Sequence, residues 1–294
     1  METVVIDGDN LTLEMVKAVS LGSMEASLSS DSRERMQTSR KAVEDILDSG
    51  DVVYGINTGF GALSSIRIED SQLEELQSNL VRSHACGIGE IMDPEIVLMM
   101  MTIRANSLAK GVSGIRPSVV DTLLGMVNSR IAPSIPRIGS LGASGDLAPL
   151  SHMTMGMMGE GECLVQTGDK WVRKDSRTAL EEAGLEPVKL QAKEGLSLIN
   201  GTSQMCAYLT QTVLNMETLC LTADASIACS VEAIRGSHKP FDRRVQDSRP
   251  QVGQSISAAR ISAFLSQSNI EISHENCERV QDAYSFRCAP QVHG

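Results

Sequence analysis

The chain has 294 residues, 41% hydrophobic but only 3% aromatic, and a net charge of −11 from 37 acidic and 26 basic side chains. That length supplies one large or two ordinary domains, with a core built from aliphatics, Met and Ala. The acidic balance argues against a general nucleic-acid or anionic-membrane binder.

The longest strongly apolar run, 96–103, is far too short to span a bilayer. The N-terminus METVVIDGDN lacks the basic-then-apolar order of a signal peptide. Seven cysteines without a CxxC pair fit a reducing, cytoplasmic setting and neither a disulfide framework nor a zinc site.

Helical patterns dominate the predicted elements. Residues 32–48 carry Met36, Val43, Ile46 and Leu47 at helical spacing, and Gly50 sits where a helix stop belongs. Helices follow at 71–81 and 94–108, the second apolar nearly all round, as a buried helix would be. Pro117 opens another that runs to about 129. Gly168-Asp169 between Leu164-Val165 and Trp171-Val172 predicts a small hairpin. Thr178 and Glu181 have capping-box spacing, with Gly184 and Pro187 ending that helix. Residues 202–235 contain no Pro or Gly and predict one long helix; a further helix at 254–265 follows a loop holding Pro240 and Pro250. Elements lengthen near residue 196, which places a domain boundary there: 1–195, then 196–294.

The most informative segment is Gly139-Ser140-Leu141-Gly142-Ala143-Ser144-Gly145-Asp146-Leu147-Ala148-Pro149-Leu150. Its structural reading is a turn feeding a helix, with Asp146 as N-cap and Pro149 in the first turn. A nucleophile elbow requires G-x-S-x-G, and Ser144 has Asp two positions on. A phosphate loop requires a following Gly-Lys-Ser/Thr, which is absent. Ala-Ser-Gly permits other chemistry, because a glycine amide is uncrowded. If the fold presses the Gly145 nitrogen against the Ala143 carbonyl carbon, a five-membered ring closes. Loss of water there, and of the Ser144 hydroxyl as a second water, leaves an exocyclic methylidene on an imidazolone, a carbon electrophile. A helix starting at Asp146 would favour negative charge developing on it.

The loop GSLGASGDLAPLSHM resembles the signature of the aromatic amino acid ammonia-lyases. Four other motifs match in order: Tyr54-Gly55-Ile56-Asn57-Thr58-Gly59-Phe60-Gly61, Ser83-His84-Ala85-Cys86-Gly87, Lys193-Glu194-Gly195-Leu196-Ser197-Leu198-Ile199-Asn200-Gly201-Thr202 and Gln281-Asp282-Ala283-Tyr284-Ser285-Phe286-Arg287-Cys288. Ala283 departs from the family's Pro, which would loosen that loop. The resemblance implies a mainly α fold: an N-terminal domain with the signature loop and a small hairpin, then the start of a long-helix bundle of fumarase/aspartase-like architecture. It also implies the 4-methylidene-imidazole-5-one (MIO) prosthetic group, formed from Ala143, Ser144 and Gly145 without a metal.

Site roles follow from the same resemblance. Tyr54, otherwise a packing residue in a mobile turn, becomes the base that takes the β-proton. His84, otherwise a structural imidazole at a helix end, would hydrogen-bond a substrate imidazole, and Ser83-His84 matches the histidine-selective pattern. Asn200, otherwise a turn residue, would bind near the MIO carbonyl and the substrate's amino-acid end. Gln281, Tyr284 and Arg287 at successive spacings of three would share one face of a helical turn. Arg287 would grip the substrate carboxylate in a two-pronged pair, with Gln281 and Tyr284 lining the same pocket and polarising the ring region, Tyr284 as a catalytic residue.

The implied reaction is elimination of ammonia from L-histidine to give trans-urocanate. The alternatives are a tyrosine ammonia-lyase or aminomutase, which Ser83-His84 disfavours, and an inactive assembly module or precursor. His152, His238, His274 and His293 show no metal-ligand spacing. Cys206, Cys220 and Cys229 are expected to pack within the long helix. The family pattern includes a further helical half completing a homotetramer. The expectation is therefore a C-terminally incomplete form that cannot build a whole site alone.

Overall fold

The computed structural model describes residues 2–61, 64, 66–273, 276 and 278–294. His274 lies outside the described residues. The chain begins with a parallel pair, β1 (Thr3–Ile6) and β2 (Glu25–Leu28), joined through helix α1 (Leu13–Ser20). Helix α2 (Ser30–Ser49) is bounded as its sequence dictates: the Ser29 hydroxyl accepts the Ser32 amide, and Gly50 takes the left-handed conformation (φ 75°). Helix α3 (Leu73–His84) leads through β3 (Ile88–Ile91) into α4 (Pro94–Ala109).

Helix α4 is the central element. Val97, Leu98, Met99, Met100 and Met101 are each at most 1% exposed, and α1, α2 and α5 (Pro117–Asn128) pack around it. Its apolar residues cover every face because every face has a neighbour. Strand β4 (Ile131–Pro133) follows, then β5 (Pro136–Ile138), which pairs antiparallel with β3, and α6 (Leu147–Met157).

The hairpin forms between β6 (Glu162–Thr167) and β7 (Lys170–Asp175), with Thr167 opposite Lys170 and β4 on the far side of β6. Gly168 supplies the positive φ (60°) at the first central position of the two-residue turn. Helix α7 (Ser176–Glu182) starts earlier than the Thr178/Glu181 spacing predicts. Asp175 is the cap, its carboxylate accepting the Thr178 amide, because the hairpin ends there and feeds directly into the helix.

Helix α8 (Glu194–Ile199) and the 31-residue α9 (Ser203–Ala233) follow. The chain divides into two compact units, Met1–Gln211 and Thr212–Gly294. That division falls later than the composition shift near 196, because α8 packs on α3 and α6 and Ala207 belongs to the first unit's core. The second unit contains the rest of α9, then α10 (Arg243–Asp247), α11 (Val252–Leu265), α12 (Asn269–Ser273), α13 (Tyr284–Arg287) and α14 (Ala289–His293). Its core joins Ala228, Val231, Phe241, Ile261, Leu265 and Ala289. The fold is mainly helical with small sheets, as expected. Cys206 and Cys229 are exposed on α9 rather than packed, because this chain covers only part of that helix's circumference.

Candidate active site

The glycine-rich loop runs from the end of β5 into α6, with Ala143 and Ser144 exposed and Gly145 and Asp146 buried. Gly145 has a φ of 95°, and a Cβ there would stand 2.7 Å from the Gly201 carbonyl oxygen. Glycine is therefore required twice, by the left-handed backbone and by the close approach. The Gly145 amide donates to the Gly142 carbonyl (3.2 Å), bending the Ala-Ser-Gly stretch into a turn.

Asp146 holds the N-cap position of α6 but makes no side-chain cap bond to it. Its fully buried carboxylate caps α9 instead, accepting the Gln204 amide at 2.7 Å, the Met205 amide at 3.1 Å and the Ser140 hydroxyl at 2.6 Å. Its own amide donates to Gly201 O at 2.6 Å. A helix's first amides lack internal partners and its N-terminus favours an anion, so the carboxylate satisfies both demands. The signature loop is thereby tied to the start of the longest helix.

Gly201 is held from behind by Arg104 of α4. This arginine is 4% exposed and donates to the Ser197 carbonyl and, at 3.0 Å, to the Asn200 carbonyl. A Cβ on Gly201 would collide with its guanidinium. Burial pulls Arg104 down to about 10, opposed by the Asp146 charge. Asn200 ends α8 with its side chain exposed.

Glu194, fully buried, anchors the other end of α8. Arg116 meets it with two bonds of 2.7 Å, and the Gln191 amide donates at 2.8 Å. The charge-assisted bond to Glu194 raises Arg116 above its ordinary value. Lys193, at a φ of 77°, places its Nζ 3.5 Å from where a Gly55 Cβ would be, so it lies against the Tyr54 turn.

Tyr54 is 55% exposed and meets Phe60 edge-on, with centroids 6.2 Å apart. The turn beneath it is fixed by buried Asn57, which accepts the Val53 amide (2.9 Å) and donates to Asp51 O (2.7 Å). His84 is the last residue of α3. Its Nδ1 lies 2.9 Å from the Leu80 carbonyl and 3.1 Å from Ser83 Oγ. A carbonyl only accepts, so Nδ1 is the donor in this contact, which leaves Nε2 as the nitrogen free to face a ligand.

The second unit holds the remaining residues. Tyr284 and Arg287 share the short helix α13, with the guanidinium carbon 5.7 Å from the tyrosine ring centroid. Gln281 precedes that helix in non-helical backbone, so the three-residue spacing aligns only Tyr284 with Arg287. Ala283 has a φ of −60° and ψ of 146°, the conformation a proline would impose, so the turn keeps its shape without one. Asp282 accepts the Ser237 amide at 2.5 Å and Arg279 at 3.3 Å. Gln281 lines a polar cavity with Arg235, Lys239, Glu271 and Asp282. The buried Nε of Arg287 has no hydrogen-bond partner among the described residues. Tyr54, His84, Asn200 and the Ala143–Gly145 turn thus belong to the first unit, and Gln281, Tyr284 and Arg287 to the second.

Asp146, Arg104 and Glu194 carry much of this scaffolding but are not singled out by the motifs as site residues. For Arg104 the readable signal was a charged residue inside an apolar helical run, which must be buried with partners.

A fold of small sheets around a buried helix, with a glycine-rich turn lashed to a long helix, is that of a known lyase class. The model of that class, described as aromatic amino acid lyase, matches residues 11–294, and the chain belongs to this family. It is 46% identical over its whole length to a histidine ammonia-lyase of Anaeromyxobacter sp. (strain K), of which it covers 59%. It is 44% identical, again over its whole length, to one from Alkaliphilus oremlandii, of which it covers 57%. Among solved structures, histidine ammonia-lyase from Trypanosoma cruzi superposes with a TM-score of 0.87 at 38% identity, covering all of this chain and 53% of that one. A tyrosine aminomutase from Streptomyces globisporus gives 0.89 at 35% identity, over 99% of this chain and 58% of that one. The chain thus spans under three fifths of the curated relatives it matches.

Proposed function

We propose that the protein in which these residues operate is a histidine ammonia-lyase, eliminating ammonia from L-histidine to give trans-urocanate. The observation that carries this is the Ala143-Ser144-Gly145 turn, in which the Gly145 α-carbon packs against the Gly201 carbonyl with no room for a side chain and the Gly145 amide turns back onto the Gly142 carbonyl. These residues fit an MIO group: the cradle leaves no room for a Cβ at 145, and Ser144 offers a hydroxyl to lose. Such a group, once formed from Ala143, Ser144 and Gly145, supplies the electrophilic carbon that makes the amine a leaving group.

The chain's own side chains do the rest. Arg287, whose buried Nε has no hydrogen-bond partner among the described residues, binds the substrate carboxylate. His84 Nε2 accepts the N–H of the substrate imidazole, a contact that an apolar ring cannot replace. Tyr54 Oη takes the β-proton as the carbon–nitrogen bond breaks. Asn200 orients the amino-acid end, and Gln281 and Tyr284 line the pocket. The complete protein is proposed to be a cytoplasmic homotetramer; the exposed Met216, Leu219 and Leu221 of α9 support burial of that helix in a bundle.

The test is a Ser144→Ala protein assayed with L-histidine, L-tyrosine and L-phenylalanine beside the parent. The proposal requires loss of near-ultraviolet absorbance and of most turnover, with histidine the preferred substrate of the parent. Full activity in the variant refutes it. A preference for tyrosine moves the protein toward the aminomutase-like relatives.

A further inference from the structure

Gly87 sits three residues beyond His84 and is packed closely on three sides. A Cβ there would lie 3.2 Å from His152 Nε2 on α6 and 3.2 Å from Pro136 on β5. Next to it, a Cβ on Gly139, where the signature loop begins, would stand 3.2 Å from the Gly87 α-carbon. The β3–β5 ladder continues this contact, with Ile88 opposite Ile138. The Gly87 amide donates to His152 Nε2 at 3.2 Å. Between Gly87 and His84 the chain is a tight turn, closed by the Cys86 amide on the His84 carbonyl (2.8 Å).

We infer that His152 is a positioning residue for substrate selection: it accepts the Gly87 amide and so fixes the Ser83–Gly87 turn, and the His84 ring with it, against the Ala143–Gly145 loop. This rests on the reading of His84 as the contact to the substrate imidazole. The bond needs a lone pair on Nε2, which an imidazolium does not have. Half-burial lowers the His152 pKa, favouring the neutral ring. The same helix that begins at the signature loop therefore sets the height of the specificity residue. A phenylalanine would fill the space without accepting a bond, whereas a glutamine carries an oxygen at comparable reach.

The test uses NMR on this chain with His152→Phe and His152→Gln. In the parent, the 15N shift of His152 Nε2 should be that of an unprotonated nitrogen at neutral pH. In His152→Phe, Gly87 amide exchange should accelerate roughly tenfold, the equivalent of one net hydrogen bond, and the His84 ring resonances should move. In His152→Gln both should return toward the parent. A protonated Nε2 in the parent overturns the proposal, and this result stands even if the phenylalanine variant fails to fold. Unchanged Gly87 exchange in His152→Phe, or equal disturbance by Phe and Gln, also overturns it. None of these readings needs turnover, so their failure leaves the lyase assignment standing, and a Ser144→Ala result against the lyase leaves them intact.

Discussion

Replacing Asp146 tests whether the signature loop is tied to α9 through a single carboxylate. In Asp146→Ala, the Gln204 and Met205 amides and the Ser140 hydroxyl lose their acceptor in a site with no exposure. Each orphaned buried group costs about 1–3 kcal/mol, and loss of a cap about 1. Some relaxation and water entry reduce the sum, giving an expected loss of about 4 kcal/mol. At roughly 2–4 °C per kcal/mol for a unit of this size, the melting temperature should fall by about 8–16 °C. Asp146→Asn separates charge from geometry. Its amide oxygen can replace Oδ2 toward Gln204 and Met205 while the nitrogen donates to Ser140 Oγ. That variant should lose only the charge at the helix start, about 1 kcal/mol. The assay is urea unfolding followed by circular dichroism, with calorimetry for the melting temperature. A loss below about 1 kcal/mol in Asp146→Ala, or equal losses in both variants, refutes the reasoning.

Three further outcomes follow from the same structure. Gly201→Ala should destabilise by about 1–3 kcal/mol through collision with Arg104. Combined with Arg104→Met, it should cost at least about 1 kcal/mol less than the two separate losses added, and strict additivity in a double-mutant cycle would contradict the contact. Ala283→Pro should stabilise the protein by about 0.4–1 kcal/mol in urea unfolding, since the residue already has proline's φ; destabilisation would show a mismatched turn. His152 should titrate below its ordinary value of 6.5, because burial disfavours the charged ring. A neutral buried base binds fewer protons folded than unfolded, so its contribution is complete above 6.5 and falls away as the pH drops below it. An NMR midpoint at or above 6.5 contradicts that burial.

The helices were legible because their signals are local. Gly50, Pro94 and Pro117 punctuate α2, α4 and α5 wherever the rest of the chain goes. The all-round apolarity of 94–108 announced a buried helix, and Met99–Met101 are buried. The four-residue strands β1, β2 and β3 were not legible, since four residues carry too little alternation to stand out. Asp146 shows the limit most clearly. Its position at the head of α6 predicts a cap for α6, but the partners its carboxylate finds are the amides of Gln204 and Met205, far along the chain. Which helix a buried carboxylate caps is decided by tertiary packing. The same reason hid Arg104, whose carbonyl partners come from another helix end, and His152, whose lack of metal spacing was clear but whose amide partner was not.

For the candidate site residues, local placement was legible in part. His84 at the end of α3 and the Tyr284–Arg287 pair lie where their spacing predicts. Gln281 does not share their helix, because Ala283 is extended and the helical turn starts only at Tyr284.

The central claim is chemical, and mass spectrometry of the peptide spanning Ala143, Ser144 and Gly145 tests it most directly. In protein that turns over histidine, that peptide should be lighter than its sequence by the mass of two waters. A peptide of full mass in protein with undiminished turnover would contradict the account.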